Sequence, residues 1–162
     1  MLTNWANDPE VARYLTWTAH ASIGVTREFL AGTVASYDEP GSYHWGIELK
    51  DPCVLIGTIG VVRHDDGTDA MEAGYCIGRA WWGQGYVAEA LRRVISYLFE
   101  DVGVNRIEAR HNSLNPNSGA VMRKAGMRYE GTLREAMRTN QGALADAVLY
   151  AILAKDYFAG KV

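Results

Sequence analysis

Trp82-Gly83-Gln84-Gly85-Tyr86-Val87-Ala88-Glu89-Ala90-Leu91 is a glycine-rich turn that runs straight into an amphipathic helix. A turn of this kind leaves backbone N–H groups unpaired at a helix N-terminus. Aided by the helix dipole, such groups bind phosphate or pyrophosphate. Glycine lets the ligand approach the main chain with no Cβ in the way. The common nucleotide loops do not fit. No lysine follows Gly85, as Gly-x-x-x-x-Gly-Lys-Ser/Thr requires, and Ala88 stands where the third glycine of Gly-x-Gly-x-x-Gly would be. The alternative is a plain strand-to-helix turn that uses glycine for geometry alone.

Outward from the turn, Glu72-Ala73-Gly74-Tyr75-Cys76-Ile77-Gly78-Arg79 reads as a strand ending at a glycine. On the other side, Val87, Leu91, Val94, Ile95 and Leu98 fall on one helical face at a period of 3.6. Upstream, residues 4–15 read as a helix with Pro9 in its first turn. A loop with Trp17, His20 and Ser22 leads to a second helix after Thr26, whose apolar side is Phe29, Leu30 and Val34. Tyr43 to Leu49 and Val54 to Val62 form a hairpin about Asp51-Pro52. Downstream come a strand from Val104 to Ala109 and a helix entered at Asn115-Pro116 and left at Gly126. Two strands, Met127 to Arg138 and Ala145 to Ile152, and a last helical turn over Lys155 to Phe158 complete the chain. Residues 1–162 are expected to form a single domain. Its class is α/β (α+β): a mixed sheet with helices packed on it, without a regular βαβα alternation.

Composition narrows the function. A net charge of −3 gives no sign of nonspecific binding to nucleic acid or to an anionic membrane. No apolar run approaches the roughly 20 residues of a membrane span, and no signal peptide is legible, so the cytoplasm is expected. The two cysteines, Cys53 and Cys76, lie in apolar strand-like runs and are expected to be buried thiols. No metal-ligand spacing is present, so no metal is expected.

Taken in order, these fragments resemble the GNAT superfamily of acyl-CoA N-acetyltransferases, and within it the Rim-type group of ribosomal-protein N-terminal acetyltransferases. The anchors are Trp5 to Val11, Gly74-Tyr75, the Trp82 to Leu91 turn, Asn115-x-x-Ser118, Lys124 to Met127, Glu130 to Glu135, and Asp146 to Leu153. The resemblance implies a mostly antiparallel central sheet with helices on both faces and a splayed pair of strands. Acetyl-CoA would lie with its pantetheine arm in the splay and its pyrophosphate on the turn. The cofactor residues would be Cys76, Ile77 and Gly78 on the strand, and Trp82, Gly83, Gln84, Gly85, Tyr86, Val87 and Ala88 on the turn. Asn115 would hold the pantetheine amides. Trp82 replaces the family's usual Arg or Gln, and Val87 its small last residue. The family's first strand would precede Met1, so either the chain is truncated or the sheet has one fewer edge strand, a bare edge that a homodimer partner would cover.

The implied reaction is direct attack of a neutral amine on the thioester in a ternary complex. An oxyanion needs an N–H donor, and the departing thiolate needs a proton or hydrogen bond. The family's proton-donating tyrosine position is Met122 here, and a thioether donates no proton. Ser118 is the candidate to replace it, the alternative being that Asn115 and Ser118 only cap their helix. Glu72 is the candidate base, with His64 and His111 as weaker ones. Trp17, His20, Glu72, His111 and Arg134 are the candidate acceptor residues, Arg134 having a structural ion pair with Asp146 as its alternative. The acceptor would be a protein N-terminus, a small amine such as an amino acid, polyamine or aminoglycoside, or, in a non-catalytic CoA-binding module, nothing at all.

Overall fold

The β-branched run that follows Asp51-Pro52 forms the spine of the sheet. In the computed structural model, which describes residues 1–160, β1 (His44–Lys50) and β2 (Cys53–Asp65) form a hairpin and β3 (Ala70–Ile77) adds antiparallel to β2. With β4 (Arg106–Asn112), β5 (Arg128–Arg138) and β6 (Leu144–Leu153) they make a six-stranded sheet of order β1-β2-β3-β4-β6-β5. Among these, only the β3–β4 pair is parallel.

A parallel pair needs a crossover, and the helix launched from the glycine turn, here numbered α3 (Tyr86–Tyr97), provides it. Its apolar stripe packs where the period placed it: Leu91, Ile95 and Leu98 are fully buried against Met71 and Ala73 of β3 and Ile107 and Ala109 of β4. The helix after Asn115, α4 (Pro116–Lys124), joins α3 on the same face through Met122. A short α5 (Ala154–Ala159) closes the chain.

On the opposite face, the expected helix over residues 4–15 divides into a wound coil, Leu2–Ala6, and α1 (Pro9–Ala12). Asp8 separates them, because its side chain caps α1 by accepting from the N–H of Glu10. Trp5, Ala6 and Val11 form a second small core with Leu55 and Cys76. The following helix, α2 (Ile23–Ala35), departs from the sequence reading. Phe29, Leu30 and Val34 join no buried core; they are exposed, Phe29 touching only the His20 ring at 5.8 Å between centroids, and Thr26 is the one buried residue of the helix. The helix rests on the coil beneath it through that threonine, whose Oγ1 lies 2.9 Å from His20 Nδ1.

The β3–β4 ladder is three pairs long: Ala70 with Arg106, Met71 with Ile107, and Glu72 with Glu108. Beyond it the strands part. Two carboxylates facing each other across a strand pair repel, so this end of the ladder needs counter-charge. Arg63 on β2 supplies it through Nε to Glu72 (3.1 Å) and Nη2 to Glu108. Arg110 donates to Glu108 at 2.9 Å, and Arg106 bridges Glu108 to Glu130 of β5. Burial alone would raise the Glu108 carboxyl, but hydrogen bonds and charge from Arg110 and Arg106 outweigh it and hold the group below the usual carboxylate range.

A group held low in the folded state contributes stability above its unfolded pKa, about 4.3 for Glu. That contribution is lost as pH falls through the lower folded value. Glu108→Gln is therefore expected to cost on the order of 1–3 kcal/mol at pH 7 and to flatten the acid limb of the stability curve. Urea unfolding from pH 7 to pH 3 tests this; curves that stay parallel to wild type would argue against it.

Candidate active site

Gly83 (φ 75°) and Gly85 (φ 90°) both take left-handed backbone, which other residues adopt only under strain. Gly85 caps α3, and no side chain satisfies the first N–H groups of that helix. A Cβ built on either glycine meets nothing within 4 Å, so the space above the turn is open. The N–H groups of Tyr86, Val87 and Ala88, the first of α3, take no side-chain cap and lie beside this open turn. Val87 does not crowd it, because its side chain is buried in the core between helix and sheet. Trp82 and Gln84 brace the turn: Trp82 Nε1 donates to Ile77 O at 2.9 Å and Gln84 Nε2 to Ala80 O at 3.1 Å.

In β3, the N–H of Gly78 is taken by Ile56 O at 2.9 Å. Strand alternation then turns the N–H groups of Ile77 and Tyr75 toward β4, where the ladder has already ended. Of the three residues Cys76 to Gly78, Ile77 therefore presents its amide to the gap. The Cys76 thiol lies on the other face, 3.3 Å from Thr58 Oγ1, and burial pushes its pKa up. That is the opposite of what a nucleophile needs. Cys53 is not buried as expected: it opens β2 at the hairpin turn and is exposed, with Sγ donating to Glu48 Oε1 at 2.8 Å.

At the start of α4, neither capping alternative is realised. No side chain caps the helix, so the Asn115 amide is left for another partner. Ser118 Oγ is instead 2.9 Å from the hydroxyl of Tyr75, which also donates to Ser118 O at 3.0 Å. Met122 is buried with 1% of its surface exposed. Tyr75 is the residue that sequence reasoning missed. Gly74-Tyr75 was legible as an anchor, but only the splay shows the phenol reaching across to α4.

His111, expected on the acceptor side, lies inside. Its side chain points to α4, where a Cβ on Gly119 would come within 2.6 Å of Nε2, and its Nδ1 meets Asn112 O at 2.8 Å. His64 pairs with Asp66 at 3.1 Å. Glu72 sits where the strands part, on the sheet face opposite α3 and α4. Its Oε2 is 3.1 Å from Arg63 Nε and 3.5 Å from Arg110 Nε, over a cavity of about 240 Å³ that these residues and Glu108 line.

The Trp17–His20 loop and the turn between β5 and β6 meet. Asn140 in the β5–β6 turn donates to Ala12 O (2.9 Å) and Trp17 O (3.0 Å), and the ring of Trp17 lies 5.5 Å from His20. In β5 the register slips between Leu133 and Met137, so Arg134 stands on a bulge. The bulge is held by the Glu135 N–H on Asp146 Oδ1 at 2.9 Å, with Glu135 at φ 50°. Among the described residues Asp146 thus holds the bulge rather than an ion pair with Arg134. A second cavity, about 420 Å³, opens at Arg134, Glu135 and Asp146.

A free-amide turn, a parallel pair that parts, and a helix with an uncapped asparagine are the parts expected of an acyl-CoA site. The family model described as "Acetyltransferase (GNAT) domain" matches residues 1–128. The chain belongs to the GNAT acetyltransferase family. It is 34% identical to the N-acetyltransferase YoaA of Bacillus subtilis, over 92% of this chain and 83% of that one. It is 28% identical to the ribosomal protein uS5 alanine N-acetyltransferase of Escherichia coli, over 87% of this chain and 69% of that one. The crystal structure of a GNAT-family acetyltransferase from Bacillus anthracis superimposes with a TM-score of 0.80 at 25% identity, covering 94% of this chain and 86% of that one. The protein is thus an acetyl-CoA-dependent N-acetyltransferase, and the open cradle over Gly83 and Gly85 fits the pyrophosphate of that co-substrate. No helix among the described residues is long and apolar enough to cross a membrane.

Gly85→Ala separates backbone strain from ligand approach. The folded apo chain has room for the methyl, so only strain of about 1–2 kcal/mol is expected in a thermal melt. The KM for acetyl-CoA is expected to rise tenfold or more, because the methyl enters the cradle. An unchanged KM would remove the pyrophosphate from this turn.

Proposed function

We propose that residues 1–162 form one acetyltransferase domain that moves an acetyl group from acetyl-CoA to the α-amine of a peptide N-terminus, by direct attack in a ternary complex. The observation that carries the acceptor reading is the face around Glu72. Its cavity of about 240 Å³ is lined by Arg63, Arg106 and Arg110 beside Asp65, Glu72 and Glu108, and a separate one of about 420 Å³ lies at Arg134, Glu135 and Asp146. Neither is lined by aromatic side chains, and in both the carboxylates stand beside arginine, which suits a small cationic amine less than a closed, wholly acidic chamber would. The relative that acts on the alanine of ribosomal protein uS5 supports the same reading.

Bound acetyl-CoA supplies an activated thioester; the chain supplies placement and protons. The amides of Tyr86 to Ala88 hold the pyrophosphate, and Asn115 orients the pantetheine amides. The Ile77 N–H stabilises negative charge developing on the carbonyl oxygen. Glu72, beside Arg63 and Arg110, takes a proton from the incoming ammonium directly or through one water. Ser118 gives a hydrogen bond to the departing sulfur. Trp17, His20 and Arg134 flank the acceptor. No step calls on Cys76, His111 or a metal.

Free-CoA release on a panel of peptide N-termini, amino acids, polyamines and aminoglycosides tests the acceptor. Turnover confined to small amines would overturn the peptide reading, and acetyl-CoA binding with no release on any amine would make this a binding module.

Two variants test the roles. Glu72→Gln is expected to lower kcat/KM about 100-fold near pH 7. The deficit should shrink toward pH 9, where an α-amine of pKa about 7.7–8.0 deprotonates unaided. A loss that is uniform with pH would count against a base. Ser118→Ala is expected to lower kcat roughly 100-fold, and turnover near wild type would end that assignment.

A further inference from the structure

Tyr75 lies three residues beyond Glu72, the last β3 residue paired with β4, and its side chain crosses the splay to the first turn of α4. Its hydroxyl is 2.9 Å from Ser118 Oγ and 3.0 Å from Ser118 O. A phenol carries one proton and a carbonyl can only accept, so the contact has two arrangements. In one, Tyr75 donates to Ser118 O and Ser118 donates back to the phenol oxygen. In the other, Tyr75 donates to Ser118 Oγ, and the serine proton is free to point outward. Ser118 is the third residue of α4, so its carbonyl has a helix partner one turn on and does not depend on the tyrosine.

We propose that Tyr75 is a positioning residue for acetyl transfer: it holds Ser118 Oγ as an acceptor on one side so that the Ser118 hydroxyl donates to the departing sulfur on the other. This rests on the role given to Ser118 above. Burial pushes the Tyr75 pKa up and keeps the phenol protonated across the working pH range. Neither hydroxyl is consumed. The C–N bond forms and the C–S bond breaks; the amine nitrogen loses its proton to solvent by way of Glu72, and CoA leaves as a thiolate hydrogen-bonded to Ser118 that then takes a proton from water. The serine alone is too weak an acid to part with a proton outright. A hydrogen bond aligned by a second donor asks only for direction, and this pair fixes direction from two elements, β3 and α4. The pairing also gives a use to a buried hydroxyl that no other step employs.

The test is a double-mutant cycle with Tyr75→Phe and Ser118→Ala, read as kcat for CoA release and KM for acetyl-CoA. Tyr75→Phe is expected to lower kcat about tenfold, with KM for acetyl-CoA within twofold. In the Ser118→Ala background the same change should leave kcat within twofold, because no serine remains to be aligned. Equal loss in both backgrounds would make Tyr75 a packing residue and overturn the proposal while leaving Ser118 in place. Wild-type turnover in Ser118→Ala would overturn the Ser118 role and this proposal with it. Should Tyr75→Phe fail to fold, site-specific 3-fluorotyrosine at position 75 keeps the ring and strengthens the donor. It is expected to change kcat in the chain that retains Ser118 and not in the Ser118→Ala variant, and equal effects in both would refute the alignment.

Discussion

Two strands held together for three residues and then released are the constraint on which the rest of this molecule depends. Parallel neighbours in a sheet normally satisfy each other along their length. Here Glu72 and Glu108 face one another at the last registered pair, and Arg63, Arg106 and Arg110 are drawn in to neutralise them. The guanidinium groups reach from β2 and β4 and extend to Glu130 on β5, so the closed end of the splay is fastened across four strands. Exposed ion pairs contribute little singly, but Glu108 is buried and shared among three arginines, and a strand pair this short has few other ties. The fastening lets the open end stay open.

Everything chemical follows from that opening and from strand alternation. On one side of β3 the odd residues face α3 and α4, which puts the Tyr75 phenol within reach of Ser118. On the other side the even residues face the N-terminal coil, which puts Glu72 under the arginines and Cys76 against Thr58. The same period turns the Ile77 amide into the gap. One strand therefore directs an amide, a carboxylate and a hydroxyl to three different sides, with no loop needed to carry them.

The sequence made much of this legible and hid the rest for physical reasons. The turn, the α3 stripe and the strand order are local signals, carried by glycine geometry and by periods of 2 and 3.6. Glu72 was readable as a strand carboxylate, but its arginines were not: Arg63 and Arg110 lie far apart in the chain and meet only through sheet register. Tyr75 looked like any strand aromatic, and its meeting with Ser118, 43 residues on, depends on the splay. His111 and Gly119 misled in the complementary way. A strand-end histidine before a helix reads as exposed, yet the glycine lets α4 close over it. The α2 stripe failed because apolar spacing states what a helix could bury and not whether a surface is present to receive it.

Asn140 extends the argument to the acceptor side. Its amide nitrogen donates to two carbonyls, Ala12 O and Trp17 O, which lie 128 and 123 residues earlier in the chain. A loop tip polar enough to seem featureless thus fixes the distance between the Trp17–His20 loop and the Arg134 bulge. The bulge is itself held by Asp146, so the acceptor surface proposed above would be framed by main-chain contacts and not by long charged side chains. Such a frame sets how wide an entering chain can be while saying little about its side chains. It suits an acceptor recognised chiefly by its backbone and its amine.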